Sequence, residues 1–265
     1  MSIESAALSL GTLDTLAYHD SWVHRLDPRI KLLTTLIFVV IVTSFDKYTI
    51  SGLLPFFIFP LVMILGGRLP ARFVTNRVLL VAPFAIMIGI FNPFIDQETL
   101  LQIGSWNISG GWVSFLSILL RFALTISAAL ILIATCSFPG ICMALDKLGA
   151  PRIFTVQLLL LYRYLFVLVE ESIRLVRARA LRSFRGQGLG IKVFSQMIGQ
   201  LLLRTLARAQ RIHLAMLCRG FDGNIRTLRT LKIRHREIIF LLGWSSLFIL
   251  LRLYNLPQLL GSLFV

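Results

Sequence analysis

An all-α, polytopic membrane protein, with about five transmembrane helices and a set of cytoplasmic helices before the last of them, is the fold class this sequence predicts. Three observations carry it. Of 265 residues 57% are hydrophobic, 20 residues are Phe, and the mean hydropathy is +0.82, an apolar share beyond that of ordinary soluble domains. The apolar residues come in long runs, as bilayer spans require. The formal charge of +15 gathers in some connecting segments and is missing from others, an asymmetry that membrane insertion imposes on Lys and Arg.

The first run is Ile30 to Phe45, entered through Arg25, Arg29 and Lys31. It falls short of the roughly 20 residues of an ordinary span, which points to local thinning or to entry from the preceding loop. Asp27-Pro28 ahead of it reads as a helix N-cap followed by Pro at the first helical position, where a missing N–H costs nothing. A second run, Tyr48 to Gly67, follows after only Asp46 and Lys47, so the two form a tight hairpin. Arg68, Arg72 and Arg77 then precede a third span expected over Val78 to Ile95. The loop from Asp96 to Gly111 contains no Lys or Arg, and a fourth run extends from Trp112 to about Cys136 with Arg121 inside it. An arginine so placed either faces the bundle interior or snorkels to the interface, and both remain open for Arg121. The last clear run is Glu237 to Tyr254.

Basic loops mark the cytoplasmic side. The N-terminus and the Arg68 to Arg77 loop are thereby placed inside, Asp46/Lys47 and the 96–111 loop outside, and the chain from about residue 137 inside again. The expected organisation is a four-span region over 1–136, a cytoplasmic helical domain over 137–236 and a final transmembrane helix over 237–265. The first 28 residues carry Glu4, Asp14, Asp20 and Asp27 and no continuous apolar core, so no cleaved signal peptide is expected. Cys136, Cys142 and Cys218 lack CxxC spacing, and His19, His24, His213 and His235 are scattered; neither a disulfide framework nor a metal site is expected.

From Arg163 to Arg236 the chain holds sixteen of its 27 Lys and Arg against three acids, Glu170, Glu171 and Asp222. Apolar runs persist there. Ile153 to Val169 is long enough to enter a bilayer, yet Arg163 interrupts it and both flanks are basic, so a helix at the cytoplasmic membrane face, or partly embedded in it, is expected. A helix from Glu170 to about Arg182 follows, then "SFRGQGLG", Ser183 to Gly190, whose alternate glycines suit a sharp turn. The next helix is Ile191 to Gly220. Phe194, Met197, Ile198, Leu201, Leu202, Ala209, Ile212 and Met216 repeat at helical spacing and predict a buried face. Arg204, Arg208, Arg211 and Arg219 fall within an arc of roughly 80°, given about 100° per residue.

These helices end alike, Leu181-Arg182-Ser183-Phe184 and Cys218-Arg219-Gly220-Phe221. An arginine at a helix end complements the negative end of the dipole, and its fork of donors also fits a partner's carboxylate. Ordinary capping and positive-inside bias account for the first of these alone. With these endings, the chain resembles the transmembrane (T) component of energy-coupling factor (ECF) transporters of the cobalt/nickel type, a family with two Ala-Arg-Gly signatures on cytoplasmic coupling helices. "HRLDPRIKLL", His24 to Leu33, is similar to the family's stretch before the first span, and "LLYRYLFVLVEE", Leu160 to Glu171, to the opening of its coupling domain. The resemblance covers nearly the whole chain. Leu181, Ser183 and Cys218 depart from the signatures, and Phe184-Arg185-Gly186 offers a second register for the first one.

The resemblance implies that Arg182-Ser183, or Arg185-Gly186 in the other register, and Arg219-Gly220 insert into two ATP-binding cassette ATPase subunits. It also implies a substrate-specific membrane (S) subunit that holds cobalt or nickel, a possible small accessory membrane subunit, and residence in a bacterial or archaeal plasma membrane.

Catalysis has no visible carrier. "GQGLG", Gly186 to Gly190, follows a helix and lacks the strand and lysine of a phosphate loop. No Walker sequence, paired intramembrane carboxylates or Ser/His/Asp set is present, so a non-catalytic chain without cofactor is expected. Phe56, Phe57, Phe59, Phe84 and Phe91 read as packing or lipid-facing residues. A stand-alone secondary transporter or channel would need coupling groups near mid-membrane, where only Arg121 and Arg163 stand. A nucleic-acid binder would need a solvated basic face, whereas these helices also carry long apolar ones.

Overall fold

Ser21 and Asp27 begin the first two helices. In α1 (Trp22–Arg25) the Ser21 hydroxyl accepts from the His24 N–H, and in α2 (Pro28–Thr43) the Asp27 carboxylate accepts from the Arg29 N–H at 2.9 Å with Pro28 at the first helical position, as expected. The computed structural model describes residues 20–95, 99–103, 106–182, 190–223, 225 and 234–254. They divide into two units: a span unit of the described residues 20–137 and 234–254, and an arm unit of 138–182, 190–223 and 225.

In the span unit, α2 is followed by a 3₁₀ stretch, Ser51–Phe57, which contains Pro55 and runs into α3 (Ile58–Gly67). Arg68 closes α3 in the left-handed region at φ 50°: its N–H donates to the Leu65 carbonyl and that of Leu69 to Ile64, a Schellman ending normally built on glycine. The third span starts earlier than expected. Helix α4 is Ala71–Gly89, so Arg72 and Arg77 lie within it and the basic loop shrinks to a few residues around Pro70, the N-cap. Arginines tolerate such a place because their stems lie along apolar surface, and the Arg77 guanidinium lies 5.6 Å from the Phe73 ring centre.

After α5 (Asn92–Ile95), the loop lacking basic residues holds an antiparallel hairpin of β1 (Thr99–Ile103) and β2 (Trp106–Ser109), with Ile103 opposite Trp106 and Leu101 opposite Ile108. Helix α6 is Gly110–Thr135, and α10, the last helix, is His235–Leu253.

Aromatic side chains fill the middle of this unit. Phe38 lies 4.7 Å from Phe59 and 5.2 Å from Phe248, centre to centre, and Phe56 and Trp244 complete the cluster. Within lipid, burial alone does not draw helices together; close packing and small residues do. Helix α6 accordingly buries Gly110, Gly111, Ser114, Ser117, Ser127, Ala128 and Ala134. At Gly89 of α4 an added Cβ would stand 2.7 Å from the Phe115 ring, so only glycine permits that approach of α4 and α6. Phe56 and Phe59 are core residues, whereas Phe57, Phe84 and Phe91 are exposed on the chain's surface, consistent with the two readings given for them.

Arg121 of α6 reaches a backbone carbonyl: its Nη2 donates to the Asp46 carbonyl in the turn after α2. Arg252 of α10 donates to the Ser44 carbonyl of the same turn at 2.9 Å and stands 4.3 Å from the Phe45 ring centre. The ends of α2 and α10 and the middle of α6 are therefore tied to one short turn.

In the arm unit, α7 (Phe138–Lys147) turns at Gly149 (φ +100°) into α8 (Arg152–Ala180). The stretches expected as an apolar segment and a separate helix are one 29-residue helix, because nothing between Val169 and Glu170 breaks it. Phe138 stacks on Tyr162 at 4.8 Å. Helix α9 is Ile191–Cys218. Among the described residues α4, α6 and α8 are long and apolar enough to cross a membrane, and the Ser51–Gly67 stretch is shorter. An all-α membrane protein is thus what the sequence builds, with one small hairpin in a loop.

Candidate functional site

The two arginine-bearing endings belong to the longest helices of the chain, 29 residues in α8 and 28 in α9, each about 42 Å or more at 1.5 Å per residue. Helix α8 frays into Leu181, 86% exposed, and Arg182, whose N–H donates to the Arg179 carbonyl at 2.9 Å. Arg177 and Arg179 in its last turn complement the negative end of the dipole. Ser183, Arg185 and Gly186 lie outside the described residues, as does the choice between the two registers.

The second ending is fully formed. Arg219 is the C-cap, Gly220 follows at φ +75°, the Gly220 N–H donates to the Leu217 carbonyl at 3.0 Å and the Phe221 N–H to Met216 at 3.0 Å. This is a Schellman motif, which needs a left-handed residue after the cap and favours an apolar residue next. Arg-Gly-Phe is therefore the order helix termination itself asks for. Nothing lies within 4 Å of a Cβ built on Gly220, so backbone conformation alone selects glycine there. Phe221 turns back and lines a groove together with Met216. Arg219 is left at the tip, exposed. Among the described residues neither Arg182 nor Arg219 has a carboxylate within ion-pair distance.

Other arginines of the row are engaged. Arg204 donates to Glu171 of α8 at 2.9 Å, Arg208 approaches the same carboxylate at 4.0 Å, and Glu170 pairs with Arg174 one turn on. Glu171 lies beyond the apolar stretch of α8; the hydrogen bond from Arg204, reinforced by the surrounding arginine charges against partial desolvation, holds its carboxyl below the ordinary carboxylate value. Between α8 and α9 runs a groove of about 460 Å³, walled by Leu160, Tyr164, Val167, Ile212 and Met216 with Glu171 and Arg204 at its charged end. The face expected to be buried is not: no residue of α9 is buried, Phe194, Ile198 and Leu202 are exposed, and Met197, Leu201, Ile212 and Met216 are half-covered. A single facing helix covers too narrow a stripe to bury a wide apolar face.

The described histidines are not gathered. His24 is buried against the Ser21 hydroxyl at 2.7 Å, His213 lines the groove, and no group of three or more His, Cys, Asp or Glu among the described residues is placed to hold a metal; His19 lies outside them. Sequence reasoning passed over Glu171 as a partner for Arg204. Its signal was isolation, one of three acids within a basic stretch.

Long apolar helices define the class as a multi-pass membrane protein, and two long helices of its arm unit end in exposed arginines. Residues 19–230 match the CbiQ family, described as cobalt transport protein. The chain belongs to that family and is the transmembrane component of an energy-coupling factor transporter. It is 26% identical over 228 residues to an uncharacterized protein of Methanocaldococcus jannaschii, spanning 82% of this chain and 77% of the other. It is 30% identical to the cobalt transport protein CbiQ of Salmonella typhimurium over 105 residues, 39% of this chain and 47% of that one. It is 26% identical to the energy-coupling factor transporter transmembrane protein EcfT of Streptococcus equi over 219 residues, 77% and 81% of the two chains.

Proposed function

We propose that this chain is the non-catalytic scaffold that couples ATP hydrolysis to import of Co²⁺ or Ni²⁺. It joins two ATP-binding cassette ATPases to a substrate-specific membrane subunit, with room for a small accessory membrane subunit. Its N-terminus and arm unit lie in the cytoplasm of a bacterium or archaeon. The observation that carries this reading is Arg219: a guanidinium without an acidic partner among the described residues, held at the tip of a 28-residue helix by a Schellman turn. A planar fork on a stiff lever suits a carboxylate-lined socket on another protein. Arg182 occupies the equivalent place on α8, with Ser183, or Arg185 and Gly186 in the second register, completing its signature.

ATP-driven closure of the ATPases pushes the two tips together in this scheme. Helices α8 and α9, tied through Glu171 and Arg204, carry the movement to the substrate-binding subunit, whose tilt releases the ion inward. Selection between cobalt and nickel belongs to that subunit, since no metal-ligand set is gathered among the described residues here. The similarity to a cobalt transport protein favours cobalt as the first cargo to test.

The test is affinity purification of the tagged chain from its own membranes in mild detergent, beside an Arg182→Glu/Arg219→Glu double variant. Wild type is expected to bring down an ATPase pair with ATP turnover and the variant to lose both. A wild-type chain that purifies without an ATPase overturns the reading.

A further inference from the structure

Thr135 is the last residue of α6, and only Cys136 and Ser137 separate it from Phe138, where the arm unit begins. This is the described covalent link between spans and arms; the other two, at residues 13–14 and 230–231, lie outside the described residues. A helix end of this kind leaves its last carbonyls without intrahelical donors. Here the Cys136 N–H reaches back to the Leu132 carbonyl at 2.8 Å, and the Thr135 hydroxyl donates to Ile131 at 2.8 Å. The Thr135 carbonyl accepts from Lys31 Nζ at 2.9 Å, from the first turn of α2 and 104 residues away in sequence.

Lys31 is 2% exposed, and Thr135 and Cys136 beside it are as deeply buried. Gly67, the last residue of α3, completes the junction, since a Cβ there would lie 3.7 Å from the Thr135 methyl. The ends of α2, α3 and α6 thus meet at one residue just before the chain leaves the spans. Burying a lysine is costly unless its donors are used, and a methionine would fill similar space at less cost. What lysine adds is a directional bond to one carbonyl, at the end of a helix where a donor also complements the dipole.

We propose that Lys31 is a positioning residue for energy coupling: it clamps the exit of α6 to the start of α2, so that movement of the arms displaces the spans instead of being lost in a fraying helix end. The proposal rests on the coupling function given above. Its test is hydrogen–deuterium exchange on the purified complex, with and without vanadate-trapped ATP, for wild type, Lys31→Met and Lys31→Arg.

In wild type the trapped nucleotide is expected to change exchange in the arms, 152–180 and 191–218, and in the spans, 28–43 and 110–135. Lys31→Met is expected to keep the change in the arms and lose it in the spans, and Lys31→Arg, which can still donate, to restore it. A Lys31→Met complex with the wild-type change in both regions overturns the proposal, and so does an assembled one that loses the change in both, which marks a residue the nucleotide response as a whole requires. Should Lys31→Met fail to assemble, the shorter donor in Lys31→Gln is expected to reduce the span response alone, and a full wild-type response from it is equally fatal. A wild-type chain that recovers no ATPase removes the coupling function itself, a different result from any of these.

Discussion

Phe38 and Phe194 are the same residue on two helices and meet opposite fates. Phe38, in the span unit, is fully buried among Phe56, Phe59 and Phe248, while Phe194, on arm helix α9, is 56% exposed. Their surroundings differ in the same way: α2 buries seven of its sixteen residues and α9 none of its twenty-eight. The spans complete their own packing, with small residues and rings filling each other's gaps. The arms hold their two helices together through a carboxylate and two arginines, and leave a wide apolar face for lipid or protein to cover.

The sharpest way to break this comparison is truncation on each side. Phe38→Ala is expected to cost about 3–5 kcal/mol, the usual range for a phenylalanine lost from a packed core, read as a lowered thermal midpoint in detergent. Leu206→Ala, on the exposed part of α9, is expected to stay within about 0.5 kcal/mol for the isolated chain. A large loss at Leu206 would show that the arm is packed from within after all.

Gly220→Ala forces a side chain into a left-handed position, a strain of roughly 1–2 kcal/mol confined to the end of α9. Recovery of ATPase with the tagged chain is expected to drop while the thermal midpoint of the spans stays near wild type, and Gly220→Asn is expected to be milder. The converse holds at Arg68, which already occupies such a position without being glycine. Arg68→Gly is expected to stabilise the span unit by up to about 1 kcal/mol, less the extra freedom glycine gains when unfolded, measured as a raised thermal midpoint.

The smallest effect is expected at Glu171. Its carboxyl titrates below the ordinary range when folded, so its contribution is present above the unfolded value and disappears as pH falls through the folded one. The distance between spin labels on α8 and α9 is expected to widen in acid and to be wide at all pH values in Glu171→Gln.

Hydropathy and charge by themselves determined that this chain is a polytopic helical membrane protein, and the order Cys-Arg-Gly-Phe located the tip of α9, because helix termination is a local event set by a few consecutive residues. The Asp27-Pro28 start of α2 was legible for the same reason. Boundaries near arginines were misplaced, as at α4, because a long basic side chain can lie along a helix as readily as in a loop. The pairing of Glu171 with Arg204, the Arg121 and Arg252 bonds to the turn after α2, and the Lys31 bond to Thr135 were decided only by the tertiary structure. Each joins residues 33 to 208 positions apart, and that separation is bridged by how whole helices pack rather than by any periodicity within one of them.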